Sequence, residues 1–272
     1  MKRLGIVCIA VGTALGLVAC QPAGSSEVDA KLDQVLQRLD KIEQGLANGG
    51  PRGAARAERP RRPRPDPNKV YSVPVGDAPV VGSNEAKITI VKAYEYACPF
   101  CARVNPTLEQ IQKEYGDNVR IVYKNYVVHP SVATTPALAA CAAHKQGKFS
   151  EMSHLIWEKG FNAGRNLSRE NMETLAQEVG LDMNRFKADI DGEECKKHVS
   201  EDQAQMAKVG VSGTPAFFIN GRFLSGAQPF PAFKQVIDEE IKKADDRLAK
   251  GDSLAGYYDK YVVEQGLKAM AR

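Results

Sequence analysis

Apolar and polar positions divide the chain into stretches of different period. Behind Lys2 and Arg3, Leu4 to Val18 is an almost unbroken apolar run, shorter than the roughly 20 residues that a membrane-spanning helix needs. From Val28, the apolar residues Leu32, Val35, Leu39, Ile42 and Leu46 recur at alternating steps of four and three, with charged residues between them. That spacing predicts a short amphipathic helix with a heptad seam, ended by Gly45 and Asn48-Gly49-Gly50-Pro51. The next stretch carries Pro51, Pro60, Pro63, Pro65 and Pro67 among six arginines, a composition that excludes a packed core and predicts an extended linker over 51–69.

Globular patterning begins near Val70. Val70-Tyr71-Ser72-Val73 and Lys87 to Tyr94 predict strands, the second without polar alternation and rich in β-branched residues, as a strand buried on both faces should be. Pro99 to Tyr115 has helical spacing closed by Gly116, and Val119 to Val128 reads as a further strand. From Thr134 to Val209 the pattern is helical, punctuated at Gly147, Gly160, Gly180 and Gly192, with N-caps expected at Ser168 and Asp182. Ala216 to Ile219 and Arg222 to Ser225 predict a hairpin about Asn220-Gly221. Two terminal helices are expected at 231–249 and 254–270. The order β, α, β, helical block, β, β, α predicts an α/β fold with an all-helical subdomain inserted at about 131–209 of the domain 70–272.

Charge adds little to this picture: 37 Lys and Arg against 33 Asp and Glu in 272 residues give a net charge of +4 and no call for nucleic acid. The amino terminus adds more. Its basic start, apolar run and small residue read as an export signal, and Leu17-Val18-Ala19-Cys20 resembles the lipobox of bacterial lipoproteins. That resemblance implies a signal over 1–19, lipidation of Cys20, and a body held to the cell envelope facing the periplasm, at either membrane. Export places the remaining Cys98, Cys101, Cys141 and Cys195 in a compartment where disulfides persist, and their even count permits two pairs.

Cys98-Pro99-Phe100-Cys101 stands where a strand ends and a helix begins. The first cysteine then lies beside free N–H groups at the positive end of the helix dipole, which stabilise a thiolate. Pro99 suits the first helical turn because its missing N–H has no partner to lose there. A zinc site needs two more ligands, and Cys141 and Cys195 are isolated rather than a second paired motif, so no metal and no other cofactor is expected. Cys98 is expected as the exposed nucleophile and Cys101 as the buried resolving thiol. His129 reads as a structural hydrogen-bonding residue, and Phe149, Trp157 and Phe161 as core of the helical block.

A second signature is Gly213-Thr214-Pro215 before the Ala216 strand. With Tyr94 to Cys101, Leu138 to Ala143 around Cys141, Gln146-Gly147-Lys148-Phe149, and Phe217-Phe218-Ile219-Asn220-Gly221, it resembles the DsbA-like thiol:disulfide oxidoreductases, a thioredoxin-like family with an inserted helical domain. The resemblance implies a cis bond before Pro215, facing the dithiol, and a Thr214 backbone that pairs with an extended substrate segment. It also implies a bridge between Cys141 and Cys195, with two buried free thiols as the alternative. The family often places a buried acid six residues before the first cysteine. This chain has Lys92 there, which puts the usual proton relay in question and leaves Glu95 as a weak substitute. Phe100 brings no cation to the dithiol, so Cys98 is expected to be less acidic than in the strongest oxidants of the family.

Three functions follow as expectations. The first is dithiol oxidation of cysteine-containing exported proteins, with a membrane redox partner resetting the dithiol. The second is an oligomeric isomerase or reductase, favoured by the seam over 28–46, for which a second copy of the chain is the candidate partner. The third is a tethered binding or chaperone module, against which the retention of both Cys98 and Cys101 argues.

Overall fold

The computed structural model describes residues 25–47 and 64–270; the leader, Cys20, and the linker up to residue 63 lie outside the described residues. The chain divides into two units, 1–61 and 62–272. In the first, α1 (Ser25–Ala47) carries Val28, Leu32, Val35, Leu36, Leu39 and Ile42 exposed on its surface.

The second unit is built on a five-stranded sheet in the order β1-β3-β2-β4-β5, from β1 (Val80–Val81), β2 (Ile88–Tyr94), β3 (Val119–Asn125), β4 (Ala216–Ile219) and β5 (Arg222–Ser225). β2 runs parallel to β3, pairing Ile88 with Val119 through to Tyr94 with Asn125, and antiparallel to β4, pairing Lys92 with Phe217. All seven residues of β2 are buried, because each face meets a layer of its own. Ile88 and Ile90 pack against Val104, Leu108 and Ile111 of α2 (Pro99–Tyr115), together with Phe233 and Ile237 of a helix near the C-terminus. Val91 and Ala93 pack on the other face with Phe218, Met206, Tyr258 and Val262. That is the thioredoxin-like sheet with helices on both faces.

Between β3 and β4 lies the helical block: α3 (Pro130–His144), α4 (Phe149–Leu155), a π-helical turn (Ile156–Asn162), α5 (Arg169–Val179), α6 (Met183–Asp191) and α7 (Glu193–Lys208). Local chemistry sets its boundaries. Ser168 Oγ accepts from the Asn171 N–H and Asp182 Oδ1 from those of Asn184 and Arg185, while Gly180 ends α5 in the left-handed conformation with φ 77°. A bond between Cys141 on α3 and Cys195 on α7, with Cα atoms 5.7 Å apart, ties the ends of the block together. Buried charge fastens it to the sheet. Lys124 Nζ on β3 lies 3.0 Å from Asp202 Oδ1 on α7, whose Oδ2 accepts from both the backbone and side-chain N–H of Asn125 at 3.0 Å.

The structure departs from the sequence reading at the edges of the domain. Val70–Val73 is not a ladder strand: Tyr71 N–H donates to Gly221, Ser72 N–H to Leu267, and the Val70 carbonyl accepts from Leu267. Pro74, which has no N–H, follows and stops the pairing. The expected helix at 254–270 shrinks to one π-helical turn at Asp259–Val263 after α8 (Phe230–Leu248). Gly266 lies so close to the Val262 carbonyl and the Ser72 N–H that a Cβ there would clash, and the chain runs on extended to meet Tyr71. Two further differences concern β3, which ends at Asn125 rather than 128, and the linker, already packed by Pro65, where the Asp66 N–H donates to the Tyr71 hydroxyl at 2.8 Å.

Candidate functional site

Cys98 is the N-cap of α2, with Pro99 in the first turn. Its sulfur accepts from the Cys101 N–H at 3.3 Å, as an N-cap side chain does, and meets the carbonyl of Thr214 on the loop before β4. The Thr214–Pro215 peptide bond is cis, and the loop bearing it overhangs Cys98. Both thiols are free, and both are buried, Cys98 at 4% exposure and Cys101 at 0%. The expectation of an exposed Cys98 is therefore corrected: the Thr214 loop, brought over the helix by the sheet, covers it.

The two thiols differ in electrostatics rather than in exposure. A hydrogen bond from the Cys101 thiol, helped by Thr214 and the backbone N–H groups of Cys101 and Phe100, outweighs burial and lowers Cys98 to about 6. Phe100 thus contributes through its backbone; its ring is half exposed, with the Arg103 guanidinium 4.7 Å from its centroid. Burial, then the proximity of Cys98, pushes Cys101 far above the ordinary thiol range, opposed by Lys92. One thiol is ready to be a thiolate at neutral pH, and the other keeps its proton.

Lys92 and Glu95 flank this pair in different ways. Lys92 is wholly buried on β2, its Nζ donating to Asn105 Oδ1 at 2.8 Å and standing 5.3, 5.5 and 5.7 Å from the ring centroids of Tyr94, Tyr123 and Trp157. Burial lowers it to about 8, against the pull of Cys101 and Cys98. The Glu95 carboxylate is occupied elsewhere: Oε2 accepts from the N–H groups of Val128 and His129 at 2.6 and 2.9 Å, and Oε1 meets His129 Nδ1. That contact raises the His129 pKa. Beneath the dithiol, the Tyr94 hydroxyl donates to Tyr96 and Tyr96 to Ser153 Oγ at 2.9 Å, which joins β2 to α4. Phe149, Trp157 and Phe161 are core residues in the cluster that backs Cys98 and Cys101. Sequence reasoning missed Asn105, although it stands four residues after Cys101 and so on the same stripe of α2. It also missed Asp202, which no local signal marks.

Comparisons place this arrangement among known proteins. A family model described as a DSBA-like thioredoxin domain matches residues 89–238. A thioredoxin-like oxidoreductase from Silicibacter pomeroyi superposes with a TM-score of 0.56 at 26% identity, covering 61% of this chain and 94% of that one. BdbD from Bacillus subtilis superposes at 0.58 with 22% identity over 64% of this chain and all of that one, and so speaks to the fold alone. By sequence, the chain is 32% identical over 146 residues to a Na(+)/H(+) antiporter NhaA from Herminiimonas arsenicoxydans. The match takes in 54% of this chain and 23% of that protein, so the chain spans about a quarter of the curated relative's length. Among the described residues here, no helix is long and apolar enough to cross a membrane.

Proposed function

The chain belongs to the DSBA-like thioredoxin domain family, a family of thiol:disulfide oxidoreductases, and from that premise we propose that it oxidises dithiols of exported proteins through Cys98 and Cys101. The observation that carries this reading is the split between the two thiols. Cys98, the N-cap of α2 and lowered to about 6, is the sulfur of the disulfide that a client thiolate attacks, with Cys101 leaving and taking up a proton; the client's second thiolate then attacks the client sulfur of the mixed disulfide and Cys98 leaves as a thiolate, while Cys101 resolves, in the reverse direction, mixed disulfides that go no further. Thr214 and Pro215 form the edge along which an extended client segment lies, its sulfur brought to Cys98. A membrane redox partner returns the dithiol to the disulfide, and lipidated Cys20 keeps the domain at the envelope.

The exposed stripe of α1 supports a second reading, an oligomeric isomerase or reductase that presents several Cys98 sites to one client. Trapping the thiols by alkylation in living cells separates the two. The oxidase reading expects Cys98 and Cys101 bonded at steady state; a reduced pair overturns it in favour of the isomerase or reductase.

A further inference from the structure

Glu95 and His129 form a carboxylate–imidazole pair at the edge of the dithiol, and the parallel ladder of β2 and β3 explains how they meet. Its last rung joins Tyr94 to Asn125, and just beyond it the Tyr126 N–H donates to the Tyr94 carbonyl. Cys98 and His129 each lie four residues past that rung. They hold matching places in the fold, Cys98 as the N-cap of α2 and His129 as the N-cap of α3. Neighbouring strands run about 4.8 Å apart, and Glu95 keeps the two turns that follow them from parting. Its Oε2 accepts from the N–H groups of Val128 and His129, and its Oε1 meets His129 Nδ1.

β3 and β4 flank β2 on opposite sides. From the β4 side the Thr214 carbonyl reaches the Cys98 sulfur at 3.3 Å; the β3 side brings His129. The Glu95 side chain is wholly buried, whereas that of His129 is 57% exposed. A carboxylate accepts hydrogen bonds and donates none, so the neutral ring carries its proton on Nδ1 and keeps a lone pair on Nε2. A buried acid that fixes the tautomer and direction of an exposed histidine is the arrangement by which a nucleophile is relieved of its proton.

Resting on the oxidoreductase reading above, we propose that His129 accepts the proton of the client thiol that attacks Cys98, and that Glu95 is its positioning residue. An ordinary cysteine, with a pKa of about 8.5, is mostly protonated at neutral pH, and its thiol form does not attack a disulfide. In the attack, the client S–H proton passes to His129 Nε2 as the client sulfur bonds to Cys98. The Cys98–Cys101 bond breaks, and Cys101 leaves with the electron pair and takes up a proton from water. The client sulfur is oxidised and Cys101 reduced. When the client's second thiolate then takes the client sulfur, Cys98 leaves as a thiolate beside an imidazolium that favours it.

The groups that set the charge of the ring stand on the turn between β2 and α2. The Glu95 contact raises the His129 pKa above 6.5, and the charge of Cys98 adds to the rise. α3 opens with Pro130-Ser131-Val132-Ala133-Thr134, which carries no ionisable side chain. From α7 comes the neutral Gln203 amide, whose Oε1 accepts from the Val127 N–H at 2.6 Å. Raised in this way, the ring changes charge closer to the ionisation of the thiol that it serves.

The test is single-turnover reduction of the oxidised full chain by dithiothreitol, quenched in acid at intervals, alkylated and weighed, from pH 5 to 10. The wild-type rate should rise with pH and level off where His129 loses its proton, before the reagent's own thiols ionise. His129→Ala should be slower by at least about tenfold at pH 7 and should climb without levelling until those thiols ionise. Imidazole added to the solution should restore part of the loss, as it does where a proton acceptor is missing. Glu95→Gln removes the charge that makes His129 more basic, so the levelling should move to lower pH. His129→Ala with the wild-type rate and profile overturns the proposal. So does a slow His129→Ala whose profile still levels off and which imidazole leaves unchanged. If His129→Ala does not fold, His129→Gln, which keeps a donor for Glu95, carries the same expectations. A wild type whose disulfide dithiothreitol leaves intact defeats the oxidoreductase reading instead.

Discussion

The Cys98 sulfur lies 3.3 Å from the carbonyl oxygen of Thr214, and the two residues are 116 positions apart in the chain. The contact joins the end of α2 to the loop of the cis proline. On the function proposed above, a client reaching the sulfur comes along that loop, and its backbone groups hold it.

The two cysteines should fail differently when removed. Cys98→Ser abolishes exchange altogether, whereas Cys101→Ser accumulates mixed disulfides with clients because the resolving thiol is gone. Non-reducing gels of affinity-purified protein from cells expressing each variant show which occurs; oxidation of a reduced test protein by Cys98→Ser refutes the assignment.

The lowered Cys98 makes the redox balance depend on pH with a defined sign. A depressed acid stabilises the folded reduced form fully above the ordinary thiol pKa of 9.0, and this contribution is lost as pH falls through the folded value near 6. The reduced protein should therefore gain in melting temperature over the oxidised protein between pH 6 and 9. Iodoacetamide should label reduced Cys98 with a midpoint near 6. A midpoint above 8 excludes the low thiolate pKa.

Asp202 carries the buried tie between the helical block and the sheet. Asp202→Ala leaves the Lys124 ammonium buried and two Asn125 donors unpaired, and should cost about 3–5 kcal/mol in denaturant unfolding. The double variant Lys124→Met with Asp202→Leu should recover the part of the loss that comes from the uncompensated charge, since it removes both charges together, while the Asn125 donors stay unpaired. No recovery would point to a different role for Asp202.

Self-association through α1 has its own signature. Leu32→Asp with Leu39→Asp places charge in the exposed stripe and should abolish crosslinking of the full chain expressed in cells while leaving single-site thiol oxidation unchanged. Isomerisation of a client with several disulfides should fall in the same variant if the oligomeric reading holds. Crosslinking that yields monomer alone from the wild type removes that reading.

What the sequence by itself determined is what short-range chemistry can encode. Pro99 to Tyr115 ends at Gly116 in both the pattern and the fold, Ser168 and Asp182 cap their helices, and Asn220-Gly221 turns with φ of 43° and 81°, a conformation that few other dipeptides adopt without strain. The unbroken apolar run at Lys87–Tyr94 likewise announced a strand covered on both faces. Tertiary structure decided whatever depends on residues meeting from distant parts of the chain. Nothing near Val70 or Leu267 says that their backbones pair, and nothing near Asp202 says that Lys124 will need it. The burial of Cys98 was equally out of reach, because the carbonyl that covers it belongs to another strand's loop. Lys92 shows the division in one residue. The sequence marked it as the wrong side chain for its position, and only the fold could bring it the Asn105 amide, three aromatic rings and no carboxylate among the described residues. The physical reason is range: capping, turn chemistry and periodicity act over a few residues, whereas the solvation of a sulfur or an amine is set by whichever groups the completed sheet and helices place around it.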